Sequence, residues 1–162
     1  VWFGNVKTVL LTEEKSRRAI LDAIRKGKMY AVRRSPEAEL VLDYFEVIDP
    51  AGQILGGMGE EVTVSGAVRL RFGLSRSDDQ ATSVHFRLIR NGEVVKEEEN
   101  TPLPLAIEVE EELPFDQKSY YRLIVQEDRH DSLVTNPVFV TRKQIQEGNR
   151  ITTPAGSSES LL

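Results

Sequence analysis

The sequence predicts a mainly β protein, an Ig-like antiparallel β-sandwich preceded by one N-terminal α-helix. Short stretches of alternating apolar and polar residues recur through most of the 162 residues, and one stretch near the N-terminus has helical spacing instead. Turn-forming residues separate the alternating stretches about every ten positions, a spacing typical of β-sandwiches. The chain contains no cysteine, so two packed apolar sheet faces must stabilise the fold without disulfides.

The helix is expected in "TEEKSRRAILDAIRKGK". Thr12 is a suitable N-cap, and the two glutamates that follow it would lie in the first turn, where the helix dipole favours acids. Gly27 is typical of the position just after a helix C-terminus. Four apolar residues form a narrow stripe at helical spacing: Ala19, Ile20, Ala23 and Ile24. We therefore expect the helix to pack on one surface through this stripe.

Alternating strands are expected after the helix. "AVRLRFGLSR" and "SVHFRLIR" place their apolar residues on one face: Val68, Leu70, Phe72, Leu74, Val84, Phe86 and Leu88. Asn91-Gly92 then predicts a type I′ hairpin. Further strands are expected in "KMYAVRR", "ELVLDYFEVID", "TPLPLAIEVEEELP", "SYYRLIVQ" and "NPVFVTR", and an irregular loop in "DPAGQILGGMGEE". These stretches amount to about seven or eight strands between Lys28 and Val140.

Charges on the predicted outward faces are divided between strands. Arginines fall on one set of strands and glutamates on the following set: Arg69, Arg71, Arg87, Arg90, Glu97, Glu98, Glu99, Glu108 and Glu110. If these strands are neighbours, cross-strand pairs contribute a few tenths of a kcal/mol each. The competing interpretation is that the charges only keep the sheet in solution and its register fixed.

The composition argues against several partners. The net charge is −5, and no basic arm concentrates Lys and Arg, so nucleic acid is not an expected partner. No apolar run approaches the roughly 20 residues of a spanning helix, so membrane insertion is not expected. The absence of cysteine excludes thiolate zinc clusters and a cysteine nucleophile. The compartment stays undetermined, and a homo-oligomer stays possible.

The stretch "QEDRHD" is the first candidate for chemistry, because it contains Glu127, Asp128, His130 and Asp131. Histidine with carboxylates is a common ligand mixture for zinc or manganese. However, the spacing matches no ligand pattern, and such residues also favour turns, so we interpret the stretch as a connection between two strands. His85, the other histidine, is predicted to face outward without a serine partner. No catalytic, cofactor-binding or metal-binding residue is assigned.

Glycines and aromatic residues are the remaining candidates. A phosphate-binding loop in "GGMGEE" is not supported, because no Lys-Ser/Thr follows and a strand comes next. We expect Gly56, Gly57 and Gly59 to adopt positive φ angles in a loop. Adjacent aromatics on a strand point to opposite faces, so one of each pair would be exposed to a sugar or partner, although a core role is the default. The aromatic set is Trp2, Phe3, Tyr30, Tyr44, Phe45, Tyr120 and Tyr121.

The order of several motifs resembles the C-terminal region of polymerase-and-histidinol-phosphatase (PHP) domain proteins of the predicted metal-dependent phosphoesterase type. The motifs are "NVKTVLLTEEKSRRAILDAIRKGKMYAV", "GGMGEEVTV", "LIRNGEVV" and "YYRLIVQ" followed by "TNPVFV". The resemblance runs from Asn5 to about Val140 and depends on order and spacing rather than on one signature. The His-x-His motif of that family's catalytic barrel is missing here, and the chain has only two histidines, so no catalytic residue carries over to it.

The resemblance implies that this chain is a non-catalytic accessory domain of a metal-dependent hydrolase, with a structural, access-shaping or assembly role. Residues 1–34 would be a strand–helix–strand remnant of the catalytic barrel region, residues 35–142 the β-sandwich, and residues 143–162 a flexible tail. The partner would be the parent barrel, which would hold the divalent metals, while this chain would need no cofactor. Because the chain begins with Val1 rather than Met, we interpret it as a piece of a longer protein.

Two other functions stay open. A free-standing β-sandwich that binds carbohydrate or protein would use exposed aromatics on a complete set of strands. A hydrolase made by this chain alone is disfavoured, because two histidines and no cysteine cannot assemble a histidine-rich metal centre.

Overall fold

The computed structural model describes residues 6–33, 38–127 and 130–144. In this part of the chain two β-sheets pack face to face and one short helix lies near the N-terminus, which confirms the predicted fold class. In chain order the elements are β1 (Val6–Leu10), α1 (Arg17–Lys26), β2 (Met29–Arg33), β3 (Leu40–Ile48), β4 (Ile54–Gly57), β5 (Glu61–Val64), β6 (Val68–Arg76), β7 (Ser83–Arg90), β8 (Glu93–Pro102), β9 (Leu105–Glu111), β10 (Lys118–Glu127), β11 (His130–Thr135) and β12 (Val138–Arg142).

The smaller sheet has the strand order β4–β3–β6–β9, and all its pairs are antiparallel. The larger sheet is organised around β10. On one side β10 pairs with β7, which pairs with β8. On the other side β10 pairs with both β11 and β12. The sheet continues from β11 through β2 to β1, and from β12 to β5 in a parallel pair. The two strands that flank the helix, β1 and β2, therefore extend the larger sheet at one edge.

The core lies between the two sheets, where the alternating residues predicted to point inward are buried. Phe72 on β6 and Phe86 on β7 are both fully buried, and their rings meet edge to face with centroids 5.1 Å apart. Because β6 belongs to the smaller sheet and β7 to the larger one, this pair joins the two layers. The other largest fully buried side chains are Tyr121, Leu40, Leu70, Leu74, Leu88, Leu123, Leu133, Val32, Val47 and Val68.

The predicted hairpin is confirmed. Asn91 and Gly92 have φ angles of 51° and 94°, and Arg90 pairs with Glu93 across the turn. Left-handed backbone at both central residues is the requirement of a type I′ turn. The Asn91 side chain also accepts a hydrogen bond from the backbone N–H of Tyr120 at 2.9 Å. The turn is therefore fixed to β10 as well as to its own strands.

The strands that carry the arginines and glutamates are neighbours, and the expected cross-strand pairing is found at Arg69. Arg71 and Arg90 pair instead with Glu46 and Glu111, which lie outside the expected set. Arg69 on β6 lies 2.6 Å from Glu108 and 3.2 Å from Glu110 on β9. Arg87 on β7 is in register with Glu97 on β8. These groups are partly exposed to solvent, so each pair contributes on the order of a few tenths of a kcal/mol.

Three boundaries differ from the prediction. The helix begins at Arg17 rather than after Thr12, because Ser16 is the N-cap and its Oγ accepts a hydrogen bond from the Ala19 N–H at 3.1 Å. The glycine-rich stretch contains β4, whose backbone pairs with β3 despite its small side chains. A further strand, β11, starts within the expected connection at His130. The described part of the chain therefore has eleven strands from β2 to β12, more than the seven or eight expected.

A polar cluster at one end of the sandwich joins both sheets. The Tyr121 hydroxyl donates to Glu111 Oε2 at 2.7 Å, and Arg90 Nη1 donates to Glu111 Oε1 at 2.6 Å. Glu111 is on β9 of the smaller sheet, whereas the other two residues are on the larger sheet. Burial, together with Glu111, raises the pKa of Tyr121 above its ordinary value. The phenol therefore stays protonated and remains a donor.

Replacing Tyr121 with phenylalanine is expected to lower the free energy of unfolding by about 2 kcal/mol. The substitution keeps the buried ring but removes a hydrogen bond to a charged group, the stronger class of such bonds. Urea unfolding monitored by circular dichroism measures the loss. Tyr120→Phe is the matched control, since Tyr120 is the half-buried neighbour on the same strand. Equal losses in the two variants would show that the Glu111 bond contributes nothing.

Candidate functional site

The helix is anchored to the sandwich at its C-terminus. Gly27 ends α1 in the left-handed region, with φ 70°, and Asn136 Nδ2 donates to the Gly27 carbonyl oxygen at 3.1 Å. Gly59 has φ 77°, and its N–H donates to the Pro137 carbonyl at 2.8 Å. A Cβ on Gly59 would lie only 1.7 Å from the carbonyl oxygen of Lys26. The backbones of three distant segments thus pack together here.

The glycine-rich stretch supplies this anchor rather than a phosphate-binding loop. Gly59 has the expected positive φ, but the expectation is wrong for Gly56 and Gly57, which lie on β4. Glycine is needed at position 59 for two reasons, the left-handed backbone and the close approach of the helix carbonyl. We call the contact of Gly27, Gly59 and Asn136 the helix anchor.

A groove of about 920 Å³ runs between α1 and the strands β3 and β4. One ion pair joins its two sides, because Lys28, just after α1, lies 2.7 Å from Glu60, just after β4. A second pair, Lys26 with Asp22 at 2.8 Å, lies within α1 itself. The hydrogen bond from Lys28, together with the Gly57 N–H, holds the pKa of Glu60 below its ordinary value. Glu60 is therefore a paired carboxylate at neutral pH, and not a group poised for proton transfer.

The apolar stripe of α1 does not pack as expected. Ala23 is buried at 3% exposure, but the large apolar residues Ile20, Leu21 and Ile24 are 39%, 40% and 47% exposed. We call these three residues the outer face of α1. A surface helix normally turns its large apolar residues toward a core, and exposed apolar clusters are candidates for contact surfaces.

The α1 region also differs in charge from the rest of the chain. Residues 15–28 contain six Lys or Arg side chains and one Asp, a net charge of +5, whereas the whole chain carries −5. The outer face of α1 is therefore an apolar patch with a basic surround on an acidic protein. Such a surface is complementary to an apolar patch with an acidic rim.

The stretch "QEDRHD" spans a hairpin between adjacent strands. Glu127 ends β10, His130 begins β11, and these two residues are opposite each other in the antiparallel ladder. Glu127 Oε1 accepts a hydrogen bond from Arg76 at 3.4 Å. Asp128 lies outside the described residues, as do the side chains of His130 and Asp131. The connection itself is shorter than expected, because His130 and Asp131 already belong to β11.

His85 is half-buried on β7, where it contacts both neighbouring strands. Its Nε2 lies 2.7 Å from Glu97 Oε1 on β8, and its Nδ1 lies 3.1 Å from Gln126 Oε1 on β10. Both ring nitrogens are thus engaged in cross-strand contacts. Within residues 6–33, 38–127 and 130–144, no three His, Cys, Asp or Glu side chains converge in a way that could hold a metal ion.

The two adjacent aromatic pairs on described strands each have one buried ring, as predicted, but the other ring is half-buried rather than exposed. Phe45 and Tyr121 are 2% and 0% exposed, whereas Tyr44 and Tyr120 are half-buried. The Tyr44 ring covers Gly73 and contacts the Arg71 guanidinium, 5.4 Å from its centroid. Tyr30 is buried as well, and Trp2 and Phe3 lie outside the described residues. Of this aromatic set, the described members offer no fully exposed ring for stacking on a sugar.

Among the described residues no helix has the length and hydrophobicity of a membrane span. Comparisons of the chain with protein-family models, with curated proteins and with solved structures give no match. The resemblance of its motifs to PHP proteins therefore stays an expectation from the sequence.

Proposed function

We propose that this chain is a non-catalytic accessory β-sandwich domain of a PHP-type metal-dependent hydrolase, a phosphoesterase, and that the outer face of α1 docks on the catalytic barrel. The observation that carries the proposal is the exposure of Ile20, Leu21 and Ile24 at 39–47%. The order of sequence motifs supports the choice of partner. The role of the domain would be to stabilise the barrel, to shape access to its mouth or to mediate assembly.

Burial of the outer face gives docking a favourable free energy. Fully burying a Leu or Ile side chain contributes about 1.5–3 kcal/mol, and these three side chains each still expose about two fifths of their surface. Docking would therefore gain about 1 kcal/mol per side chain before its entropic cost. The helix anchor supports the same role, because it fixes the C-terminus of α1 and so presents the outer face in one orientation.

The charge of the α1 region indicates what the barrel surface should contain. Since residues 15–28 carry a net charge of +5, the docking surface would have apolar residues at its centre and carboxylates at its rim. Rim charges mainly affect association rate and orientation, whereas the buried apolar centre supplies most of the affinity.

The first test is the coding region that contains this chain. We expect a segment rich in His and Asp, with the metal-binding motifs of a PHP barrel, in the same polypeptide. The purified polypeptide should contain divalent metal and hydrolyse phosphomonoester or phosphodiester substrates, and chelation should remove the activity. A coding region without such a segment would contradict the proposal.

Replacing Ile24 with glutamate is expected to weaken docking without destabilising the sandwich itself. In the whole polypeptide the charge would enter an apolar interface, and the free energy of unfolding should fall by about 2 kcal/mol. In this chain alone the Ile24 side chain already contacts water, so the free energy of unfolding should change by less than about 0.5 kcal/mol. Thermal unfolding of both forms by calorimetry measures the two effects.

Val94→Glu is the matched control, because Val94 lies on β8 at 48% exposure, nearly the value of Ile24. It should leave both the whole polypeptide and the isolated chain unchanged within about 0.5 kcal/mol. Equal effects of the two substitutions in the whole polypeptide would argue against docking through α1. If instead Ile24→Glu converts a dimer of this chain to a monomer, the outer face joins two copies rather than a barrel.

A further inference from the structure

We propose that a small pocket around Arg122, on the larger sheet, binds an oxyanion group such as a carboxylate or a phosphate. The pocket has a volume of about 230 Å³ and lies between β1, β2, β10 and β11. This site is separate from the outer face of α1, and the inference does not depend on the proposed function.

The topology of the larger sheet creates the pocket. β10 pairs with β12 from Lys118 to Tyr121 and with β11 from Ile124 to Glu127. Arg122 and Leu123 lie between these two ladders, where β10 changes its partner strand. At this position the Leu123 N–H donates to Thr135 Oγ1 at 3.0 Å instead of to a backbone carbonyl. The gap between the ladders leaves room beside Arg122.

Arg122 has fewer polar partners than most arginines on the strands. Its side chain is half-buried, and its Nε is buried without a hydrogen-bond partner, as are those of Arg69 and Arg142. Those two arginines are paired through another guanidinium nitrogen, whereas no hydrogen bond or ion pair to Arg122 occurs among the described residues. Five other strand arginines each have a hydrogen bond or an ion pair: Arg69, Arg71, Arg76, Arg90 and Arg142. Buried donors are nearly always paired, so the donors of Arg122 are available to an acceptor that enters the pocket.

The lining of the pocket selects for negative charge. It contains the Arg122 guanidinium and no carboxylate, although the chain has 26 acidic residues. Three of its lining residues carry hydroxyl groups: Thr8, Tyr30 and Thr135. Thr135 Oγ1 accepts a bond from Leu123, which leaves its own hydrogen available to donate. The pocket therefore combines one cation with hydroxyl donors, the groups that bind an oxyanion.

The size of the pocket limits the ligand. Drug-sized ligands occupy cavities of about 300–1,000 Å³, so this pocket accommodates one small anion or the charged end of a larger molecule. The planar fork of a guanidinium matches two oxygens of a carboxylate or of a phosphate. Both chemistries therefore fit, and the experiment has to distinguish them.

Titration of the ¹⁵N-labelled chain with sodium phosphate or sodium acetate, at constant ionic strength set with chloride, tests the site by NMR. We expect a saturable shift of the Arg122 Nε–H signal and of the Leu123 and Thr135 amides. Saturation by phosphate alone would identify the ligand as a tetrahedral oxyanion, and saturation by acetate alone would identify it as a carboxylate. Saturation by both anions would show that the pocket binds either group. No saturable shift with either anion would overturn the proposal.

Arg122→Gln should raise the dissociation constant about tenfold or more, because it removes a charge-assisted bond. Arg33→Gln, a change at an exposed arginine on β2, should leave the constant unchanged. If Arg122→Gln does not fold, Arg122→Lys keeps the charge but removes the fork, and it should still weaken binding. Equal affinity in the folded variants and the parent chain would overturn the proposal, as it would show binding outside the pocket.

Discussion

Gly59→Ala is expected to lower the free energy of unfolding by about 3 kcal/mol or more. Its new Cβ would be placed 1.7 Å from the Lys26 carbonyl oxygen and 2.8 Å from the Gly27 carbonyl carbon. Both contacts are to backbone, so no side chain can move aside, and the helix anchor must open. A left-handed residue other than glycine adds about 1–2 kcal/mol of strain. Chemical denaturation measures the total loss, and faster amide exchange in α1 would locate it.

Gly52→Ala separates backbone strain from the clash. Gly52 has φ 83°, similar to the 77° of Gly59, but a Cβ there would meet no atom within 4 Å. The control should therefore lose only the strain, about 1 kcal/mol. If both alanine variants lose the same free energy, the close contact between Gly59 and the end of α1 does not exist in solution.

Phe72→Ala is expected to lower the free energy of unfolding by about 4 kcal/mol, the second large effect. The ring is fully buried and meets Phe86 edge to face across the two sheets. Removing it takes away buried apolar surface and leaves a cavity that the paired strands cannot fill, a combination that typically costs about 3–5 kcal/mol. Urea unfolding gives the value, and the thermal midpoint should fall with it.

Phe115→Ala is the control for the core substitution. Phe115 is 46% exposed, and the Arg142 guanidinium lies 4.3 Å from its ring centroid. Losing this partly hydrated contact should cost about 1 kcal/mol or less. A Phe72→Ala loss no larger than that of Phe115→Ala would mean that the two sheets do not pack through the Phe72–Phe86 pair.

Local patterns predicted the strands well where one face is buried. In β6 the residues Val68, Leu70, Phe72 and Leu74 alternate with two arginines and a glycine, and all four are buried. Period-two alternation has a direct physical cause, since successive side chains point to opposite faces of a sheet. The Asn91-Gly92 turn was predictable for a similar reason, because few other residue pairs tolerate two positive φ angles.

The errors arise where distant segments decide the local structure. Thr12 and Ser16 are both suitable N-caps, but the Leu11 N–H donates to the Lys28 carbonyl at 2.9 Å, which extends the pairing of β1 and β2 to the residue before Thr12. Glycine-rich composition indicated a loop where β4 forms, because pairing with β3 uses backbone groups that every residue has.

The candidate sites were the hardest features to predict. Helical spacing identified the apolar stripe of α1, but it could not show that Ile20 and Ile24 would face solvent. Glycine preference pointed to a positive φ at Gly59, whereas its contact with the end of α1 depends on the tertiary fold. Arg122 is an ordinary outward residue of an alternating strand, and its position where β10 changes partner strand depends on the tertiary fold.

Photo-crosslinking from position 24 tests most directly whether the outer face of α1 docks on a catalytic barrel. A benzoyl-phenylalanine would replace Ile24, or Val94 as the control, in the polypeptide encoded by the whole gene, and mass spectrometry would identify the linked peptides. We predict links from position 24 to a His- and Asp-rich barrel segment and none from position 94. Links from position 24 only to copies of this chain, or the same pattern from both positions, would contradict docking on a barrel.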